Sequence, residues 1–485
     1  MSNLTSTIKS IQDIMRKDAG VDGDAQRISQ LGWMLFLKIF DEKENDWEIT
    51  SENYKSPIPQ DLQWRNWAAN EEGMTGEELL GFVNNSLFPR LKNLVIKKKD
   101  DAGNMVRDVF EDSYNYMKSG TLLRQVINKI NSGIQLTSKS DRHEFNDIYE
   151  QILRDLQSAG NAGEFYTPRA VTQFIVEMIQ PKLGEVVLDP ACGTAGFLTN
   201  VIDYIETQQK VKTLEQRQQL QNCITGVEKK PLPHMLATTN LILHGIEVPV
   251  IQHDNLLNRS WTEWSNKHRV DIIVTNPPFG GMEEDGVENN FPAQYRTRET
   301  ANLFMSLVIH LLKDGGRCGL VLPDGFLFGE GVATRIKENL LEKCNLHTIV
   351  RLPNGVFAPY TGIKTNLLFF DKLSSSSPKG GGREGAVWYF EHPYPDGVKN
   401  YNKTKPINIK EFDLEKAWWN NREENQYAWK VSAEELKKRN YNFDIKNPNS
   451  TEEQHQYTSN ELIDLLGQSF AKSNQLLKQL KEELV

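Results

Sequence analysis

The stretch E-V-V-L-D-P-A-C-G-T-A-G-F, residues 185–197, decides the fold. An apolar, β-branched run, Glu185–Asp189, ends in an acid. A turn with glycines at 193 and 196 follows, and Ala195–Thr207 then has helical spacing. Strand, Gly-rich turn and helix form the opening unit of a parallel α/β sheet. Six more short apolar runs follow: Cys223–Glu228, Val248–His253, Val270–Asn276, Arg317–Pro323, Leu346–Leu352 and Thr365–Phe370. Amphipathic stretches such as Pro233–His244, Asn302–Lys313 and Gly331–Lys343 lie between most of them. Seven strands with intervening helices predict an open, doubly wound, Rossmann-like α/β sheet. The last two runs have no helix between them, which predicts an antiparallel hairpin at the sheet edge.

The flanks read differently. Residues 1–150 are mostly helical in pattern and carry no catalytic signature: Ile8, Ile11, Ile14 and Met15 recur at helical spacing. After a break at Gly20–Gly23, Asp24 is placed to cap a second helix bearing Ile28, Leu31, Leu35, Ile39 and Phe40. The pattern resumes at Leu79–Leu94, and Lys97–Asp101 reads as a solvated loop. Beyond the sheet, Ser374–Gly385 is low complexity and predicts a loop. The Trp-, Tyr- and Asn-rich stretch after it has no clear period. Thr458 with Glu461 makes a capping-box pattern. Leu462, Leu466, Phe470, Leu477, Leu480 and Leu484 then form one stripe of a long C-terminal helix. The expected divisions are a helical domain at 1–150, a catalytic domain at 151–445 and a helical tail at 446–485.

Composition bounds the function. The chain has 485 residues, 38% hydrophobic and 25% charged, an ordinary globular balance. No apolar run reaches the roughly 18 residues of a membrane span, and the N-terminus lacks a secretory pattern. The four cysteines, 192, 223, 318 and 344, form no C-x-x-C, so neither a zinc site nor a disulfide framework is expected. That points to a reducing cytoplasm. A net charge of −9 argues against a broad basic face that grips nucleic acid unaided.

Three constellations carry chemistry. The first is the turn itself, Asp189 to Phe197. Gly193 and Gly196 would let the backbone approach a ligand, but no lysine follows as in a phosphate loop. Alone, it reads equally as a tight strand–helix junction. The second is Glu228, ending the next strand, where an acid can accept both hydroxyls of a ribose. It comes 39 residues after Asp189, longer than the roughly 20 of the dinucleotide pattern, and alone it reads more readily as a surface acid. Asp254, ending the third strand, is placed to bond an adenine amine. The third is Asn276-Pro277-Pro278-Phe279, ending the fourth strand. Two prolines remove two backbone donors and fix the chain direction. The Pro277 carbonyl and the Asn276 side-chain carbonyl can then face one planar amine, and Phe279 offers a stacking face.

Taken together these residues resemble the N6-adenine DNA methyltransferases, and most closely the modification subunits of type I restriction-modification systems. Glu164-Phe165-Tyr166-Thr167-Pro168-Arg169 is similar to that family's upstream cofactor motif. Asp189 to Phe197 resembles its D-P-x-x-G-T-x-G-F loop, with Gly193, Thr194, Ala195 and Gly196 at the turn. Asn276–Phe279 matches its N-P-P-F tetrapeptide, and Asn354–Phe357 with Thr365 and Asn366 resembles a later motif near the base pocket. Upstream motif first, catalytic motif after the cofactor loop, is the γ order. The resemblance covers residues 150–372 and, loosely, the N-terminal region.

It implies methyl transfer from S-adenosylmethionine to N6 of an adenine flipped out of DNA. Asn276 and Pro277 would polarise the amine, Phe279 would stack on the base, and Phe357 or Tyr360 would cover its other face. Glu228 would hold the cofactor ribose. No metal and no nucleophilic cysteine is implied. No separate recognition domain follows Phe370, so sequence would be read by a specificity subunit, with a restriction and translocation subunit completing a complex that holds two copies of this chain. The C-terminal stripe would dock on a partner's helices or pack on its own chain. Two other readings are a solitary methyltransferase and an inactive methyltransferase-like scaffold.

Overall fold

The computed structural model describes residues 3–50, 52–95, 102–134, 149–153, 166–374, 385–402, 404–450 and 459–483. All seven expected strands are present: β1 (Val187–Asp189), β2 (Ile224–Glu228), β3 (Val250–His253), β4 (Val270–Thr275), β5 (Leu312–Pro323), β6 (Cys344–Arg351) and β7 (Thr365–Lys372). Two more, β8 (Ala386–Glu391) and β9 (Ala428–Ser432), extend the sheet to nine in the order β3-β2-β1-β4-β5-β7-β6-β8-β9. β1 to β5 are parallel to their neighbours within that group. β7 runs antiparallel between β5 and β6, as the short connection predicted.

The hairpin is not at the edge. β8 adds to β6 in parallel and β9 closes the sheet. The A-V-W-Y-F-E run of β8 is rich in β-formers, but it sits between a low-complexity loop and polar turns and shows no alternation. What makes it a strand is the open hydrogen-bonding edge of β6.

Burial on both faces explains the near-continuous apolar strands. Successive side chains point to opposite faces, so β4 sends Ile272 and Val274 into one core and Ile273 into the other. β7 does likewise, with Leu367 and Phe369 on one face and Leu368 and Phe370 on the other. The covering helices include α5 (Arg169–Ile179), α6 (Gly196–Gln209), α7 (Leu214–Cys223), α8 (Pro231–Leu243), α9 (Thr300–Leu311) and α10 (Val332–Lys343).

The N-terminal helices include α1 (Asn3–Met15), α2 (Asp24–Thr50), α3 (Ala102–Glu111) and α4 (Gly120–Gly133). Asp24 is the first residue of α2 and pairs with Arg27; it is a first-turn acid and not the cap. The core of these helices continues into Tyr149, Ile152 and Tyr166 and takes in Met235, Leu236 and Ile242 of α8. Tyr149 Oη donates to the Leu236 carbonyl at 3.1 Å. The helical region is therefore packed on the outer side of a sheet-covering helix. Contact at that seam is close: a Cβ on Gly32 of α2 would lie 2.6 Å from Met235 Cε.

Chain contacts divide the molecule into Met1–Lys446 and Asn447–Val485. The second unit carries a 25-residue helix, Ser459–Glu483 (α12). Leu466, Phe470 and Leu477 of the expected stripe are each more than half exposed, as are Ile463 and Leu476. Thr458 and Leu484, the side chains of Glu461, Leu462 and Leu480, the loop at Lys97–Asp101 and most of Ser374–Gly385 lie outside the described residues. Among the described residues no helix is long and apolar enough to cross a membrane.

The Gly32 seam gives a prediction. Gly32→Ala needs only a shift of the flexible Met235 tip and should be tolerated. Gly32→Leu overpacks the seam and should cost about 1–3 kcal/mol. Thermal unfolding of both variants decides it; equal melting temperatures would contradict the packing.

Candidate active site

β1 is flanked by β2 and by β4, so the chain leaves β1 in opposite directions on its two sides. Ligands of doubly wound sheets bind in the crevice this creates at the carboxyl ends of the strands. Asp189 ends β1, Glu228 ends β2, and Asp254 and Asn276 directly follow β3 and β4. All four line one cavity of ≈ 340 Å³, together with Thr167, Gly193, Thr194, Gly196 and Pro278. The sequence motifs thus converge although they lie up to 109 residues apart.

The turn after β1 is held by its neighbours. Cys192 N–H donates to Val227 O at 2.9 Å, and Asn240 Nδ2 donates to Thr194 O at 2.9 Å. Gly193 has φ +54°, which favours glycine. Ala195 has φ +63°, a conformation that costs a side-chain-bearing residue about 1–2 kcal/mol. Glu228 Oε2 accepts from Gly193 N–H at 2.9 Å and Oε1 accepts from Lys230 N–H at 2.7 Å. Glu228 thereby braces the turn, and its carboxylate belongs to the cavity lining.

Gly196 lines the cavity and serves a second purpose as well. A Cβ there would lie 2.0 Å from Nη1 of Arg169. The missing side chain makes room for a guanidinium, which pairs with Glu150 through Nε at 2.6 Å. Arg169 does not line the cavity; nor do Tyr166, Pro168, Ala195, Pro277 and Phe279. Glu164 and Phe165 lie outside the described residues.

Two buried acceptors in the cavity wall have no partner: Asp189 Oδ2 and Asn276 Oδ1. Asp189 Oδ1 accepts from Ala191 N–H at 3.2 Å. Burial pushes the Asp189 carboxyl up to about 7; the Thr275 hydroxyl and the Ala191 N–H pull down, and the Glu228 charge pushes up. Asn276 Nδ2 donates to Thr167 Oγ1 at 3.0 Å. Among the described residues no group donates to the Pro277 carbonyl. Asp254 pairs with Arg259 at 2.8 Å. The Cys192 thiol is pushed far up by burial and by the charges of Asp189 and Glu228, which leaves it inert.

Phe279 is half-buried and meets Phe357 edge-on, with centroids 5.5 Å apart. Phe357 is sealed in the core, so it supports Phe279 and is not free to cover a base. Its loop is braced by the aromatic segment that showed no period in the sequence. Gly355, at φ +82°, lets Asn400 and Tyr401 approach, and Tyr394 Oη donates to Asn354 O at 2.9 Å.

Sequence reasoning missed Glu283, Asn255, Lys229 and Thr300 in the cavity wall. Buried Glu283 accepts from Asn255 Nδ2 and Thr300 Oγ1, each at 3.1 Å, and faces Lys229 Nζ at 3.4 Å. The loop that carries it has no periodicity, and only the acid run at 283–285 marked it. The set offers acceptors for hydroxyls and amines around a space for an adenosine-sized molecule, with Asn276 in its wall.

The family model described as N-6 DNA Methylase matches residues 140–457, and that of the HsdM N-terminal domain matches residues 4–130. The methylase subunit of the type I restriction enzyme EcoEI of Escherichia coli is 61% identical over 455 residues, 92% of this chain and 90% of that one. A modification subunit assigned to a type I restriction enzyme of Vibrio vulnificus YJ016 superposes with a TM-score of 0.81 at 44% identity, over 92% of this chain and 97% of that one. A chain from a type I R-M system solved for its complex assembly has a TM-score of 0.81 at 35% identity, over 100% of this chain and 98% of that one.

Asp189 yields a pH prediction. Its carboxyl titrates near 3.8 when unperturbed and at about 7 in the folded chain. The folded state holds the proton more tightly, so this group's stabilisation is full below pH ~4 and is lost as pH rises through ~7. Asp189→Asn keeps the shape and removes the buried charge. It should melt above the wild type at pH 8, the gap closing towards pH 4, in paired thermal scans. A lower melting point at pH 8 would contradict the burial cost assigned to Asp189.

Proposed function

The chain belongs to the N-6 DNA methylase family, and from that membership we propose how its residues carry out the reaction of a type I modification subunit. It is an adenine N6-methyltransferase subunit that works with other subunits of a restriction-modification system. One observation carries the assignment of the site: the buried, partnerless Asn276 Oδ1 in the cavity wall, at the switch point of the sheet.

The cavity over Asp189, Gly193, Thr194, Glu228 and Asp254 would hold S-adenosylmethionine, and the donor set fits it. Glu228 places a carboxylate where the ribose hydroxyls would lie, Asp254 and Asn255 can meet an adenine edge, and Asp189 Oδ2 is an acceptor for an ammonium. Thr167 and its neighbours Tyr166, Pro168 and Arg169 close the turn from the upstream side. When bound, this cofactor supplies an electrophilic methyl group on a sulfonium.

The target amine is a weak nucleophile because its lone pair is delocalised into the base. Asn276 Oδ1 and the Pro277 carbonyl accept its two hydrogens and turn the lone pair outward. Pro278 fixes the turn that directs both carbonyls. Phe279, backed by Phe357, stacks on the flipped adenine, whose extraction from the duplex costs a few kcal/mol. Two aligned acceptors that strengthen as charge develops are worth more in a water-poor cleft than in water.

Sequence reading falls to a specificity subunit, and cleavage to a restriction and translocation subunit; two copies of this chain per complex follow if each strand of a bipartite site is methylated. The net charge of −9 supports dependence on such a partner. We assign 1–150 to a helical domain that buttresses α8, 151–445 to catalysis and 446–485 to docking, the last on its exposed apolar residues. Four buried free cysteines agree with a reducing cytoplasm.

Two predictions test this reading in the assembled complex. Asn276→Ala should lower methyl transfer by about 10²–10³-fold, the range seen when a charge-stabilising group is removed, and Phe279→Ala should also abolish turnover. Both should bind S-adenosylmethionine normally by calorimetry; wild-type transfer by either refutes the roles assigned. The purified chain alone should not methylate a duplex until a specificity subunit is added, and efficient methylation by the chain alone would establish a solitary enzyme.

A further inference from the structure

An asparagine amide has two ends of opposite hydrogen-bonding sense. In the role given above, which this inference rests on, Asn276 must present its carbonyl to the base. Turned by half a rotation, it would present hydrogens to hydrogens and repel the amine. The contact that addresses the choice is with Thr167, whose Oγ1 accepts from Asn276 Nδ2 at 3.0 Å and so leaves Oδ1 as the buried, partnerless end of the amide in the cavity wall.

Thr167 is fixed from both sides. Tyr166 is buried in the core of the N-terminal helices. Pro168 begins the turn into α5, its carbonyl accepting from Val171 N–H at 2.9 Å and Thr172 N–H at 3.2 Å. Arg169 is paired with Glu150. The hydroxyl therefore stands at a set point beside Asn276.

A hydroxyl can also donate, so Thr167 by itself tolerates either sense of the amide. The choice becomes one-sided only when its own hydrogen is committed elsewhere. Among the described residues no protein group takes that hydrogen, and Thr167 lines the same cavity as the turn after β1.

We propose that Thr167 is a positioning residue that sets the sense of the Asn276 amide, and that an acceptor on the bound cofactor completes the setting by taking the Thr167 hydroxyl hydrogen. Committed in that way, Oγ1 has only lone pairs to offer, and Asn276 can meet it only through Nδ2. Cofactor occupancy thus prepares the base pocket: an adenine amine finds an acceptor when the methyl donor is in place and an ambiguous amide when it is not.

The test uses the chain assembled with its specificity subunit on a duplex carrying the target site. Thr167→Val keeps the shape and removes the hydroxyl; Thr167→Ser keeps the hydroxyl. At saturating cofactor, Thr167→Val should slow single-turnover transfer about tenfold or more, the loss of one oriented hydrogen bond, with KM for DNA little changed. Thr167→Ser should stay near the wild type. A second readout needs no transfer: the preference for adenine over purine, which lacks the amine, at the target position. With sinefungin as an inert cofactor analogue, the wild type should prefer adenine more than it does without it, and Thr167→Val should show no such gain. The proposal is overturned if Thr167→Val transfers at the wild-type rate, if it retains the sinefungin-dependent preference, or if its whole defect is weaker sinefungin binding by calorimetry. If Asn276→Ala also transfers at the wild-type rate, the failure lies in the catalytic reading itself.

Discussion

The parallel pairing of β1 with β4 is the constraint on which the rest of the molecule depends. Leu188 sits opposite Ile273, so the two strands end at the same level. The chain enters β4 only after passing outward through β2 and β3. The helices that follow β1 and β4 therefore leave on opposite sides, and no covering element closes the gap above the strand ends. Asp189 and Asn276 are placed at that gap by sheet register, not by local sequence.

Most polar groups around the gap are committed to holding it open. Glu228 grips the turn and the start of α8, Asn240 grips Thr194 O, and Glu283 gathers Asn255 and Thr300. Against that background the two acceptors without partners stand out. Asp189 Oδ2 and Asn276 Oδ1 are buried acceptors of one cavity wall, open to a donor brought by a ligand. Strain adds to this at Ala195. Acceptors and strained backbone held in place in this way are preorganised for a ligand.

The helical region has a part in this although none of its described residues lines the cavity. Its core wraps α8, and Glu150 holds Arg169 against Gly196. The turn is therefore clamped from in front by Glu228 and from behind by Arg169. The aromatic segment after β8 does the same for the Asn354–Phe357 loop, which seats Phe357 under Phe279.

Much of this was legible in the residues. Strands with both faces buried appear as unbroken apolar runs, so β1 to β7 could be read directly, and the glycine and proline turns gave the ends at which chemistry sits. The period-free segment from 386 to 445 could not be read, because β8 is a strand only by virtue of the open edge of β6. A second role of Gly196 was hidden for a similar reason: the space it leaves is also used by Arg169, 27 residues earlier in the chain, and no local pattern reports that. Phe357 looked like a lid for a base and is a support, since its burial depends on strands β6 and β7 around it. Sequence by itself determined the alternation of strand and helix, the motifs and their order, because these follow from side-chain shape and backbone freedom within a few residues. Only the tertiary structure decided that Thr167 meets Asn276, that Asn276 keeps a free carbonyl and that Glu228 is a brace, because the hydrogen bonds available to a side chain depend on which distant groups the fold brings to it.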